Sequence, residues 1–170
     1  MRLSLERLPS PIGTILLVCD GETVRAIDFA DYDARMRTLL HRYAGDHELR
    51  EGKAPRAIST ALRDYFAGDI RAVDAIETET GGTEFQRRVW NALRDIPAGE
   101  TMSYGALAAK LGMPKASRAV GLANGANPIC IVLPCHRVIG ADGSLTGYGG
   151  GLPRKKWLLA HEGVRLKSAA

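Results

Sequence analysis

The sequence predicts two domains. Residues 1–78 read as an α/β N-terminal domain, a small antiparallel sheet with helices, and residues 79–170 as a mainly helical C-terminal domain with a helix-turn-helix. Three observations predict this. The first half carries strand-length apolar runs separated by Gly and Pro turns; the second half carries short helical stripes with caps; between them the polar, glycine-rich run Glu77-Thr78-Glu79-Thr80-Gly81-Gly82 breaks the pattern.

In the first half, Leu3–Arg7 and Thr14–Cys19 read as strands around the Pro9-Ser10-Pro11-Ile12-Gly13 turn, and Val24–Phe29 as a third strand after Asp20-Gly21. Asp33 is placed to cap a helix running to about Arg42, with Met36, Leu39, Leu40 and Tyr43 at helical spacing. A second helix runs from about Pro55 to Phe66 and stops at Gly68, its stripe Ala57, Ile58, Ala61, Leu62, Tyr65 and Phe66 being a core face.

After the break, Thr83-Glu84-Phe85-Gln86 is a capping box that opens a helix bearing Phe85, Val89, Trp90 and Leu93 and ending before Pro97. Ser103 can cap Tyr104–Leu111; Gly112 ends that helix, Pro114 opens another through about Ala123, and Asn124-Gly125 ends it. At this point the pair reads either as a helix-turn-helix or as a helical hairpin packed in a core. Lys115, Ser117 and Arg118 stand near the start of its second helix, with the small residues Ala116, Ala119, Gly121 and Ala123 behind them. Ile139–Tyr148 reads as a hairpin turning at Asp142-Gly143, and a last helix runs from Pro153 to Glu162. Arg154, Lys155 and Lys156 crowd its N-terminal end, where cations oppose the helix dipole; phosphate contact would account for them.

Charge is uneven. The net +4 is the sum of −2 over residues 1–78 and +6 over residues 79–170, so the second half is the one to attract a polyanion, or simply a solubilising surface. No apolar run approaches a transmembrane length, and the N-terminus lacks the apolar core of a signal peptide, so the expected location is cytoplasmic. Cys19, Cys130 and Cys135 make neither a disulfide framework nor a Cys-x-x-Cys zinc pair. Cys19 and Cys130 read as small apolar fillers on strands.

Cys135 differs because it sits in Pro134-Cys135-His136-Arg137-Val138, after the apolar run 129–133. A thiol becomes a strong nucleophile only as a thiolate, and an imidazole can take its proton. Neighbours on an extended segment point opposite ways, so a water or a folded-back turn would have to carry that proton. Alone, the pair is also compatible with a structural cysteine.

Together, Thr83-Glu84-Phe85-Gln86, Ser103-Tyr104-Gly105, Ser117-Arg118-Ala119-Val120-Gly121, Asn127-Pro128, Pro134-Cys135-His136-Arg137-Val138-Ile139-Gly140 and Trp157-Leu158-Leu159-Ala160-His161-Glu162-Gly163 resemble the O6-alkylguanine-DNA alkyltransferases, over about Gly81 to Gly163. The resemblance implies the helix-turn-helix, double-stranded DNA with O6-alkylguanine lesions as partner, no cofactor, no membrane and a monomer. Cys135 would take the alkyl group irreversibly, His136 would pass the thiol proton through water, Glu162 would orient His136, and Asn127 would bridge the turns around the site. Tyr104 would meet the target phosphate or the flipped base, and Arg118 would fill the stack, with Ser117 and Lys115 also on the DNA. Val138, Tyr148 and Gly149 would line the base pocket. Some relatives carry serine at the Gly149 position; glycine implies a roomier pocket and a shift toward bulkier alkyl groups or O4-alkylthymine. Some also hold zinc in the first domain, but Cys19, His41 and His47 are no such set, so no metal is expected. Arg137 is read as structural, pairing locally.

Three rivals compete. A sequence-reading transcription factor needs base-reading side chains where Ala and Gly dominate. A lesion-flagging protein has no use for a thiol at Cys135. A Cys-His-Glu hydrolase leaves Arg118, Tyr104 and the basic half unexplained.

Overall fold

The computed structural model describes residues 1–166, so the last four residues of the predicted second domain lie outside the described residues. The chain divides into two compact units, residues 1–82 with 128–132, and residues 83–127 with 133 onward.

The first unit is built on a four-stranded sheet ordered β3-β2-β1-β4, from β1 (Arg2–Leu8), β2 (Ile15–Asp20), β3 (Thr23–Phe29) and β4 (Glu48–Glu51). β1 and β2 pair antiparallel, as do β2 and β3. β4, which sequence periodicity does not reveal, runs parallel to β1 and makes the sheet mixed. Period-two alternation puts Leu3 and Leu5 of β1 and Leu16 and Val18 of β2 into one core with Ala26. Met36 and Leu40 of α1 (Asp33–Ala44) close that core, four residues apart on one helix face. Asp33 does not cap this helix: it is its first residue and pairs with Arg37 one turn on. α2 (Arg56–Ala67) follows, with Pro55 before it and Gly68 after it. Residues 128–132 return to this unit along β3: Ile27 N–H donates to the Pro128 carbonyl and Cys130 N–H to the Ile27 carbonyl, both at 3.1 Å. Ile131 then takes φ +73°, a region β-branched residues rarely adopt, while Val132 N–H closes onto the Cys130 carbonyl at 2.8 Å.

The second unit opens with α3 (Glu84–Leu93), whose capping box is formed: Gln86 N–H donates to Thr83 Oγ1 at 3.1 Å and Thr83 N–H to Gln86 Oε1 at 2.9 Å. β5 (Met102–Ser103) leads into α4 (Tyr104–Lys110), capped by Ser103 Oγ, which accepts from Ala106 N–H at 3.0 Å. α5 (Ser117–Gly125) begins later than Pro114 suggests. Pro114 instead occupies a turn closed by Ala116 N–H to the Met113 carbonyl at 2.9 Å, which suits its fixed φ equally well. α3 and α4 both pack on α5, with Val89, Trp90, Leu93, Leu107 and Val120 in the core and Trp90 Nε1 donating to the Ala123 carbonyl at 2.8 Å.

The expected hairpin over 139–148 is absent. β6 (Val138–Ile139) pairs parallel with β5, and the chain then folds into a turn in which Gly140 N–H meets the Ser144 carbonyl at 2.9 Å. Asp142 stabilises that turn by accepting from the Ser144 N–H and hydroxyl, so the turn chemistry of Asp142-Gly143 is used without a second strand. α6 (Leu152–His161) closes the unit. Among the described residues no helix is long and apolar enough to cross a membrane.

Candidate active site

Cys135 lies not on an extended strand but at the head of a 3-10 turn, Cys135–Arg137. Pro134, with φ −78° and ψ 67°, makes the inverse γ-turn that precedes it, closed by Cys135 N–H to the Leu133 carbonyl at 2.7 Å. Two amides hold this bend. Asn127 Nδ2 donates to the Leu133 carbonyl at 2.8 Å, and Asn124 Nδ2 to the Cys135 carbonyl at 3.2 Å. Cys135 is buried but reaches a cavity of about 230 Å³ lined by Tyr104, Gly121, Asn124, Gly125, Gly147, Tyr148 and Gly149. That is space for one flat ring system, less than a drug-sized ligand takes.

Behind the cysteine lies a buried charge chain. His136 Nε2 is 2.8 Å from Glu162 Oε2, and both side chains are fully enclosed. Arg137 grips the same carboxylate with a fork, Nε to Oε1 at 2.8 Å and Nη2 to Oε2 at 3.2 Å, while Nη1 donates to the Ile96 carbonyl at 2.6 Å. Burial pushes the Glu162 carboxyl up, but the hydrogen bonds and charges of His136 and Arg137 outweigh it and bring the group down to about 2. Burial also lowers the His136 pKa, against the pull of Glu162, so the ring rests neutral. An ionised carboxylate only accepts, so Nε2 carries the ring hydrogen and Nδ1 is left as a base. Among the described residues Nδ1 has no hydrogen-bond partner. Gly99, at φ +87°, lets the turn after α3 approach the Glu162 carbonyl; a Cβ there would stand 3.1 Å from it.

His136 and Glu162 are thus brought together, Cys135 shares the 3-10 turn with His136, and Asn127, also buried, holds the Leu133 carbonyl just before that turn. Tyr104 lies on the cavity wall, its hydroxyl 3.3 Å from the Thr146 carbonyl; Tyr148 and Gly149 line the same cavity. Val138 is fully buried in β6. Arg118, Ser117 and Lys115 are exposed at the start of α5 and the turn before it, outside the cavity.

Two readings change. Arg137 does not pair locally: its partners lie 25 and 41 residues away. Lys155 is not a phosphate contact, being fully buried with Nζ donating to the carbonyls of Val138 at 2.6 Å, Thr146 at 2.8 Å and Gly147 at 3.2 Å. Burial lowers its pKa to about 8, the charge of Cys135 opposing the shift. The missed signal was periodicity: Lys155, Leu158, Leu159 and Glu162 share one face of α6 and its end, and all four are buried. Lys155→Met keeps the stem but strips three carbonyls of their donor. It should cost about 2–4 kcal/mol by denaturant titration, since orphaned buried acceptors cost about 1–3 kcal/mol each with partial relaxation. The same change loosens the 146–149 wall of the cavity.

Two family models match. Residues 84–164 match the 6-O-methylguanine DNA methyltransferase DNA binding domain, and residues 5–80 its ribonuclease-like domain. The chain is 54% identical over 170 residues to the methylated-DNA–protein-cysteine methyltransferase of Salmonella typhimurium, covering 98% of this chain and 99% of that one. It is 47% identical over 154 residues to the protein of the same name from Methanosarcina acetivorans, covering 91% and 94%. Among solved structures it is similar to Mycobacterium tuberculosis OGT in complex with DNA, with TM-score 0.78 and 43% identity over 94% of this chain and 92% of that chain.

Proposed function

The chain belongs to the 6-O-methylguanine DNA methyltransferase family, and on that premise we propose how its own residues perform the repair. The protein reverses DNA damage directly, taking the alkyl group of O6-alkylguanine onto one of its own cysteines as a methylated-DNA–protein-cysteine methyltransferase. The acceptor is Cys135. The observation that carries this is the buried His136–Glu162 hydrogen bond adjoining a cysteine that reaches a base-sized cavity.

In the reaction, the thiol hydrogen leaves through water to His136 Nδ1, whose imidazolium form is stabilised by Glu162. Cys135 Sγ attacks the alkyl carbon, a C–S bond forms as the C–O6 bond breaks, and the electron pair passes into the guanine ring. The proton ends on guanine N1, restoring the ordinary base, and the protein keeps a thioether. Arg137, fixed by its fork on Glu162, holds that carboxylate in place and ionised.

The lesion lies inside the duplex, so the nucleotide must be turned out, which costs least at a damaged pair. Lys115 and Ser117 meet phosphates, Arg118 fills the vacated stack, and Tyr104 meets the flipped nucleotide at the cavity mouth. Small residues on α5 let its backbone approach the minor groove, which reads little sequence, as lesion repair requires. One protein molecule acts per lesion, as a monomer without cofactor.

The test is stoichiometry. Incubated with excess duplex carrying O6-methylguanine, the protein should produce guanine only up to its own concentration, and the added methyl should map to the Cys135 peptide. Repeated turnover, or methylation at Cys19 or Cys130, would sink the reading. Arg118→Ala should slow repair of duplex DNA by about tenfold or more, since unstacking costs a few kcal/mol, yet leave reaction with free O6-benzylguanine largely intact. Equal losses on both substrates would count against a duplex-opening role.

A further inference from the structure

α5 buries Val120, Ala123 and Asn124, and its outer face carries Arg118, Ala119, Leu122 and Gly125. Leu122 is 74% exposed, the most exposed large apolar side chain among the described residues. A single exposed leucine is ordinary on a protein surface, so exposure alone assigns it nothing. Its position does. Residues three and four apart are neighbours on a helix, so Leu122 stands between Arg118 on one side and Gly125 on the other. Gly121 and Gly125 line the cavity that Cys135 reaches, which puts Leu122 at the lip of that cavity without lining it. Lys115, in the turn before α5, and Arg118 bring positive charge to the same end of the helix. An apolar group flanked by cations and by a base-sized cavity matches the minor groove of a duplex, where phosphates form the rims and sugars and bases the interior.

We propose that Leu122 is a further DNA-contacting residue, an apolar wedge that enters the minor groove beside the nucleotide turned out of the stack. The assignment rests on the duplex-opening reading above and deepens it. Ala119 and Gly125 on the same face are small enough to let the α5 backbone close on the groove. A leucine between them would hold the helix away unless it has space to enter. Turning one nucleotide out creates such space, and proteins that deform DNA through the minor groove insert apolar side chains of this size at a base step. Arg118 offers charge and hydrogen-bond donors there. Leu122 offers apolar surface, which displaces water from sugars and from base faces uncovered by the departed nucleotide. It neutralises no phosphate, so its share of the affinity adds nothing to the salt dependence.

The experiment measures, across a salt series, the dissociation constant of the full-length protein for a duplex carrying O6-methylguanine, with Cys135→Ala in every sample so that no transfer consumes the lesion. Leu122→Ala and the polar, near-isosteric Leu122→Asn should each raise it about five- to tenfold, the worth of burying much of one leucine side chain. Leu122→Met keeps the apolar volume and should stay within about twofold. The slope of log affinity against log salt should match the parent in all three, whereas Lys115→Ala should flatten it by about one. With Cys135 restored, the Leu122 variants should react with free O6-benzylguanine at the parent rate, which also shows that they fold; alanine is in any case the strongest helix former. An affinity unchanged in Leu122→Ala or Leu122→Asn, an equal loss in Leu122→Met, a flattened slope, or an equal loss on O6-benzylguanine overturns the assignment alone. No alkylation of Cys135 by methylated duplex in the unaltered protein overturns the repair reading and this assignment with it.

Discussion

Cys135→Ala is expected to abolish alkyl transfer completely, with no slow residual phase, while affinity for undamaged duplex DNA stays within about twofold because a thiol neutralises no phosphate. The other cysteines offer no bypass. Cys19 is buried in β2, and burial, with the charge of Glu6, pushes its thiol up to about 12, so it holds almost no thiolate at neutral pH. Cys130 is buried along β3, one residue past its bridge. The fold should survive, since removing one small buried sulfur costs on the order of 1 kcal/mol. Intact-protein mass and a gel-shift titration give the two readouts. Persistent transfer in the variant would show that another group accepts the alkyl chain.

The second large effect is at Glu162. Glu162→Ala leaves the Arg137 guanidinium buried without its carboxylate, and removing one partner of a buried pair costs about 3–5 kcal/mol. Glu162→Gln keeps the shape and removes the charge; it should slow transfer about 10- to 100-fold, in line with the loss of a group that orients another, without changing the final yield. The pH dependence separates catalysis from folding. Glu162 normally raises the His136 pKa, so its loss lowers that pKa further, and the acid limb of the rate profile should move to lower pH in the Gln variant. A limb that stays in place would mark Glu162 as structural only. Stability has a matching signature. His136 titrates below its ordinary 6.5, so the unfolded chain binds the extra proton and stability begins to fall below about pH 6.5. Glu162, held at about 2 against an ordinary 4.5, adds a further loss as pH drops from 4.5 toward 2. Both changes have the same sign.

Features with local causes were legible. The capping box at Thr83 and Gln86 and the cap at Ser103 arise from side chains three residues from their partners, so sequence spacing specifies them. The alternation in β1 and the helical spacing of Met36 and Leu40 are likewise local. β4 is not legible in the sequence because its four residues, Glu-Leu-Arg-Glu, carry a single apolar side chain and leave no stripe. Pro114 stands in the turn before α5 and not in its first turn, because one fixed φ suits both the first turn of a helix and a β-turn.

The candidate site divides along the same line. The sequence alone determined which groups are available: a cysteine and histidine in one turn, a glutamate at a helix end, an asparagine before Pro128 and an arginine at the start of a helix. The tertiary structure decided their states. It placed Lys155 under three carbonyls 8 to 17 residues away and tied Arg137 to a carboxylate 25 residues on. It also spent one end of the Asn124 amide on the cysteine's own carbonyl. The physical reason is burial. A charged or amide side chain reads in sequence as solvent-facing, and only distant backbone brought around it can satisfy it once water is gone.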